Sequence, residues 1–269
     1  FGGNIGGQME ILNRNNNTET LRNFLALMDL GEGSVIHKPE NINIGNGIGG
    51  PNDNNANNLF NSLVNNPNIR NISMVNDIMK NNFSLSNSLD FEKVTSARKL
   101  NQSEYKVNSE LGYISLLRKL QNDEVLAVSY EYTYNGKRYQ VGELSEDYHN
   151  REDDETIILK LLRPSSINTE TTMWKLMMKN IYSLNSNQIN NEGFELRINY
   201  RDDANGFDNP SLNEGILTKD KPLIELLGLD RLNRSNDPQK DGNFDYVEGY
   251  TIDPDNGNII FPVLQPFGE

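Results

Sequence analysis

Asp237, Asp241 and Asp245 stand around Gly242 in the run Asp237-Pro-Gln-Lys-Asp-Gly-Asn-Phe-Asp245. Carboxylates gathered at a glycine turn are the ligand pattern of calcium loops, because Ca²⁺ takes about six to eight oxygens from a tightly folded segment. Counted from Asp237, Glu248 falls at the twelfth position, where EF-type loops carry their bidentate ligand, whereas Gln239 leaves the third position without a carboxylate. Asp, Asn, Gly and Pro are also ordinary turn formers. The run therefore reads as either a calcium site or a solvated polar turn. A second acidic cluster, Glu152-Asp153-Asp154-Glu155, could in principle supply paired carboxylates. Glycoside hydrolysis needs them about 5–9.5 Å apart across a cleft, which four neighbours on one loop do not provide. That run reads as a solvated face.

The remaining chemistry is excluded by what is missing. The only histidines, His37 and His149, have no ligand-like spacing. No Gly-x-Ser-x-Gly elbow or P-loop occurs, and the closest approach to a dinucleotide fingerprint, Gly45-Asn-Gly-Ile-Gly-Gly50, follows no strand pattern. There are no cysteines, so disulfides, thiolate zinc, cysteine nucleophiles and iron–sulfur ligation are excluded together. The sequence is read as non-catalytic and, apart from the calcium alternative, without a cofactor.

Composition narrows the partners. With 25 basic and 38 acidic residues the net charge is -13, which opposes binding to nucleic acid, since neutralising phosphates needs a surplus of Lys and Arg. Only 35% of residues are hydrophobic and the mean hydropathy is -0.67, so the core must be concentrated in part of the chain. No apolar run approaches the roughly 20 residues of a spanning helix. Beginning at Phe1 without an initiator Met or leader pattern, the chain reads as a piece of a longer protein.

The elements that must position these residues divide the chain into 1–89 and 90–269. In the first part the spacing predicts amphipathic helices over Thr18–Leu30 and Asn71–Lys80. Between them an Asn- and Gly-rich tract, 42–58, reads as a mobile loop. In the second part Glu124–Tyr134 alternates with a period of two, and Asn135-Gly136 follows. That dipeptide is a strong hairpin signal because a type I′ turn needs positive φ at both central residues. The register it sets places Tyr134 opposite Lys137, Tyr132 opposite Tyr139 and Tyr130 opposite Val141, giving one buried aromatic face. Thr156–Leu162 reads as a buried strand and Phe194–Tyr200 as an alternating one. Thr171–Leu184 reads as a helix that sets Trp174 and its methionines on the core, and Leu223–Leu232 as a short helix. The expected class is α+β, with a few short helices and a hairpin-rich second half.

Residues 105–116 and 250–261 align without a gap: Tyr105-Lys-Val107-Asn108 with Tyr250-Thr-Ile252-Asp253, Gly112 with Gly257, Ile114 with Ile259. Each has the grammar of a hairpin, and together they read as a duplicated module. The runs Leu111-Gly-Tyr-Ile-Ser-Leu116, Asp123–Gly136, Tyr139-Gln-Val-Gly-Glu143, Trp174–Leu184, Leu229-Asp-Arg-Leu-Asn233 and Ile259–Gly268 resemble the SprA/Sov family. These are the giant outer-membrane translocon proteins of the type IX secretion system and of gliding motility in Bacteroidota. The resemblance spans roughly residues 90–268. It implies a parent β-barrel through which folded cargo crosses the outer membrane. This chain would then be a soluble, non-catalytic insertion at the cell surface or in the periplasm, capping or lining the conduit. Its partners would be the rest of the barrel protein, other secretion-system proteins and secreted cargo. The rival reading is a calcium-dependent adhesive or glycan-binding surface module.

Overall fold

The run Arg22-Asn-Phe-Leu-Ala-Leu27 shows why the first unit folds as it does. Phe24, Leu25, Ala26 and Leu27 are all buried, so this segment has no polar face and is covered on both sides. Continuous apolar runs of this kind belong to central strands. A computed structural model describes residues 9–14 (backbone only), 21–33, 42, 50–108, 112–167, 169, 174, 176–203, 206–212 and 215–268. The chain divides into two compact units, residues 1–177 and 178–269.

In the first unit the elements are β1 (Met9–Arg14), β2 (Arg22–Leu27), α1 (Leu59–Val64), a 3-10 turn (Pro67–Arg70), α2 (Val75–Phe83), β3 (Phe91–Lys99), β4 (Tyr105–Asn108), β5 (Tyr113–Leu116), β6 (Leu126–Tyr134), β7 (Lys137–Val141), α3 (Ser145–Tyr148) and β8 (Thr156–Arg163). The main sheet runs β1-β3-β2-β8-β6-β7, and β1 pairs with β6 as well. β1, β3, β2, β8 and β6 thus form a cycle of pairings, each with a neighbour on both edges. All are antiparallel except β2 with β8, where Leu25 lies beside Ile158. One face carries Leu25, Leu27, Phe91, Val141 and Ile158 against Leu59, Leu63, Ile69, Val75 and Met79 of the helical segment. The other carries Phe24, Ala26, Ala127, Ile157, Leu159 and Leu161 against Tyr148. Burying a side chain such as Phe24 or Leu27 contributes about 1.5–3 kcal/mol. A third cluster joins Leu126 and Val128 to the β4–β5 hairpin through Tyr105, Ile114 and Leu116.

The second unit has its own core of Ile224, Leu229, Ile252, Ile259 and Phe261. Its strands β9 (Ile181–Ser183), β12 (Ile252–Asp253) and β13 (Asn258–Ile260) form a sheet in the order β12-β13-β9; β10 (Tyr200–Arg201) pairs with β11 (Asp208–Asn209), and α4 spans Leu223–Leu226. The architecture is α+β and rich in strands, as expected. Among the described residues no helix is long and apolar enough to cross a membrane.

Several expectations are corrected. Within 18–30 the described segment is a strand, β2, because its apolar residues face both ways and the helical spacing of Leu21, Leu25 and Met28 is coincidental. The helix expected over Asn71–Lys80 begins later, at Val75, and ends at Phe83, where Ser84 takes the left-handed conformation. Ile181–Ser183 is a strand rather than the end of a helix, and Met177 is exposed rather than core; Met173 lies outside the described residues. Phe194, Leu196 and Ile198 do turn toward the second core, but only Tyr200 and Arg201 enter a ladder. The helix at Leu223 stops at Leu226, ahead of Gly228 at φ +74°. A boundary at 89/90 falls inside the first unit, because β3 pairs with β2 across it.

The two aligned hairpins share their register. Val107 faces Ile114 and Asn108 faces Tyr113 in one. Ile252 faces Ile259 and Asp253 faces Asn258 in the other. Gly112 and Gly257 close the turns with φ of 70° and 62°; residues 109–111 lie outside the described set.

Candidate functional site

The tyrosine hairpin gathers polar and aromatic contacts in the first unit. Asn135 and Gly136 have φ of 49° and 73°, the conformation of a type I′ turn, whose twist matches that of the flanking strands. Tyr132 lies opposite Tyr139 and Tyr130 opposite Val141. The Tyr132 and Tyr139 rings stack at 5.4 Å between centroids, with Tyr130 tilted 6.0 Å from Tyr132. Lys137 sits 5.2 Å above the Tyr139 ring, and Arg138 pairs with Glu131 on the opposite face.

What covers the hairpin is the end of the Asn-rich tract. The Tyr132 hydroxyl donates to the Asn52 carbonyl at 2.7 Å, and the Asn54 N–H donates to the Gln140 carbonyl at 2.7 Å. The buried Asn54 amide then accepts from the Gly142 N–H at 2.8 Å and donates to the Gly142 carbonyl at 3.1 Å. One side chain thereby reproduces the paired bonds of a neighbouring strand. Asn57, also buried, donates to the carbonyls of Asp29 at 2.7 Å and Glu32 at 3.2 Å and accepts from Leu59 N–H at 3.1 Å. Residues 52–57 form a fixed strap, which corrects the mobile-loop reading for that stretch; 43–49 lie outside the described residues. Gly142 must be glycine: at φ +78° an added Cβ would stand 3.0 Å from that of Ser129.

Next to the strap lies Glu143, almost wholly buried. Arg70 grips both its oxygens, at 2.8 and 2.9 Å. Arg151 reaches Oε1 at 2.8 Å and the Ile158 N–H reaches Oε2 at 2.8 Å. The carboxylate therefore ties the 3-10 turn and the α3 loop to β8. On the same strand Lys160 is buried, donating to the Met28 carbonyl at 2.8 Å and pairing with Glu32.

Burial pushes Tyr130 up to about 12, and it does the same for Tyr132, helped there by the neighbouring Tyr130. Phenols held this firmly in the neutral form serve as hydrogen-bond donors at physiological pH, not as proton acceptors. The sequence foretold Tyr130, Tyr132, Asn135, Gly136, Tyr139 and Val141 and their register. It did not foretell Asn54, Asn57, Glu143 or Arg70. An isolated Asn in a polar tract carries no signal for the strand it will meet.

The calcium candidates have other work. Both Asp245 oxygens accept from Leu232 N–H, and Oδ2 also accepts from Arg231 N–H at 2.6 Å. Asp241 Oδ1 accepts from Asn243 N–H at 3.0 Å. Asp237 is exposed, its Oδ2 3.4 Å from the Asn233 amide. Asp230, not singled out by sequence, caps the N–H groups of Asp241 and Gly242 at 3.0 Å each. Among the described residues no three carboxylates or histidines converge as a metal set. The acidic run is an anchored loop: Arg22 pairs with Asp153 at 2.9 Å and donates to the Glu152 carbonyl at 2.8 Å, while Asn23 donates to the Asp154 carbonyl at 2.7 Å. His149 is exposed with Nδ1 at 2.7 Å from the Glu146 carbonyl, and His37 lies outside the described residues. Comparison with family models finds no match, and no curated protein sequence matches the chain.

Proposed function

We propose that this chain is a non-catalytic region of an outer-membrane protein-translocation channel of the type IX, gliding-motility kind, capping or lining the conduit for secreted cargo. The observation that carries the reading is where the residues of the SprA/Sov resemblance fall. Asp123–Gly136 and Tyr139–Glu143 are the tyrosine hairpin, its strap contact at Gly142 and the clasped Glu143. Ile259–Gly268 begins in the hairpin of the second unit and continues into the Phe261–Phe267 ring contact. These residues set backbone shape and hold segments together, which is the work of a scaffold. The acidic balance of the chain, -13 overall, supports the same reading, since like charge discourages non-specific retention of acidic passengers.

The test is excision of the whole stretch 1–269 from the parent gene, with secreted cargo and outer-membrane parent protein both quantified. Secretion is expected to fall while the parent protein stays at its normal level. Undiminished secretion at a normal level of parent protein would overturn the proposal. Turnover of a substrate by the purified chain would overturn its non-catalytic part.

A further inference from the structure

The two hairpins that share a register differ in one respect. In the second unit the hairpin carries a third strand. β9 runs antiparallel to β13, with Tyr182 beside Ile259 and Ile181 beside Ile260. The pairing is framed by Leu184 N–H on the Gly257 carbonyl and by Phe261 N–H on the Asn180 carbonyl, both at 2.8 Å. In the first unit β4 and β5 form a sheet of two strands, and among the described residues no strand pairs with the outer edge of β5.

The ladder shows which groups that edge presents. Leu117 N–H bonds to the Glu104 carbonyl at 3.0 Å. Antiparallel bonding alternates along a strand, so Ser115 points its amide toward β4 while Ile114 and Leu116 point theirs away. By the alignment, Ile114 corresponds to Ile259 and Leu116 to Phe261, the residues that receive β9. The turns differ in the same sense. A Cβ on Gly257 would collide with the Ser186 carbonyl oxygen at 1.5 Å, because the chain leaving β9 passes over it, whereas a Cβ on Gly112 would meet nothing within 4 Å.

We infer that the outer edge of β5 is an acceptor for an extended peptide segment of a partner protein, which adds to Ile114 and Leu116 as β9 adds to β13. This inference does not rest on the proposed function. The chemistry of the occupant follows from the filled edge. Leu184 packs against the second core, and Tyr182, two residues away and 43% exposed, sets its ring edge-on to Phe261 at 5.5 Å. A segment on β5 would likewise place large apolar or aromatic residues at alternate positions beside Ile114 and Leu116, which already line a cluster with Tyr105, Leu126 and Val128. Main-chain bonds would supply affinity and the alternate side chains selectivity, as in other strand additions.

The experiment uses the full chain and a synthetic peptide of the sequence Lys179–Asn185, followed by residue-resolved amide exchange. In the free chain the Ile114 and Leu116 amides should exchange quickly, and saturating peptide should slow them about tenfold or more. A peptide N-methylated at the tyrosine should have no effect. Fast exchange that the peptide leaves unchanged would overturn the inference. So would protection already present in the free chain, or protection that changes only at Ile259, which would mean exchange with β9. If protection at Ile114 instead grew with chain concentration alongside dimer formation, the occupant would be a second copy and the assignment to a partner peptide would fail. Ile114→Pro removes the central donor and should abolish peptide binding, with tyrosine-hairpin exchange unchanged as the check on folding.

Discussion

Glu143 concentrates more interactions than any other side chain around the hairpin: two guanidinium groups and one main-chain amide meet on a single buried carboxylate. Removing one member of such a set leaves its partners buried without compensation, which costs more than the pair is worth. Glu143→Gln is expected to lower the unfolding free energy by about 3 kcal/mol, measured by urea titration. Arg138→Met, whose guanidinium is largely exposed, should leave it almost unchanged, because solvent screens a surface pair. The tyrosines give a pH test. With their folded values near 12 against an ordinary 10, the neutral form is the one that folding favours. Their contribution is complete below pH 10 and is lost as pH rises from about 10 to 12. Tyrosinate absorbance should show two of the 11 tyrosines ionising late, and Tyr132→Phe should remove one of them.

At the scale of elements, the strap and the hairpin depend on each other. Asn54 offers a donor and an acceptor to Gly142 in strand-like geometry, and neither Asp nor Leu can supply both. Asn54→Leu leaves the Gly142 N–H unsatisfied and its carbonyl with only the Gln140 amide at 2.9 Å, and is expected to cost about 2 kcal/mol. Gly142 amide exchange should accelerate while that of Tyr132 is less affected. The hairpin itself was legible because alternation and a positive-φ dipeptide are local signals. β8 was legible because a short apolar run ended by Pro164 fits a buried strand. β2 was not. A strand buried on both faces shows no alternation, so periodicity cannot separate it from a helix. The alternation of Phe194, Leu196 and Ile198 reported the buried face correctly but held no information about a partner strand.

For the whole molecule, the decisive contact lies far apart in the chain. β2 is held between β3 and β8, so the unit cannot be divided near residue 89, where composition changes. A fragment of residues 90–177 should lack cooperative unfolding and native-like amide dispersion, whereas 1–177 should show both. The candidate site was legible to the same extent as the fold. Its tyrosines come from one contiguous stretch, while Asn54, Arg70 and Glu143 converge from three, and convergence of distant residues has no local signature. The aligned pair of hairpins was an exception, because the gapless alignment matched the register of one to that of the other.

The side-by-side run of β2 and β8 also bears on how the polypeptide is made. A ribosome adds about 5–20 residues per second. Phe24, Leu25 and Leu27 must therefore wait several seconds, while more than a hundred further residues are made, before their neighbours Ile157 and Ile158 exist. Until β3 follows, the apolar stretch Phe24–Leu27 has no mate, and from then until β8 its other edge stays open, the state in which nascent chains aggregate. A chaperone that shelters the first thirty or so residues until β8 emerges would be needed more by this chain than by one whose early strands fold onto their immediate successors.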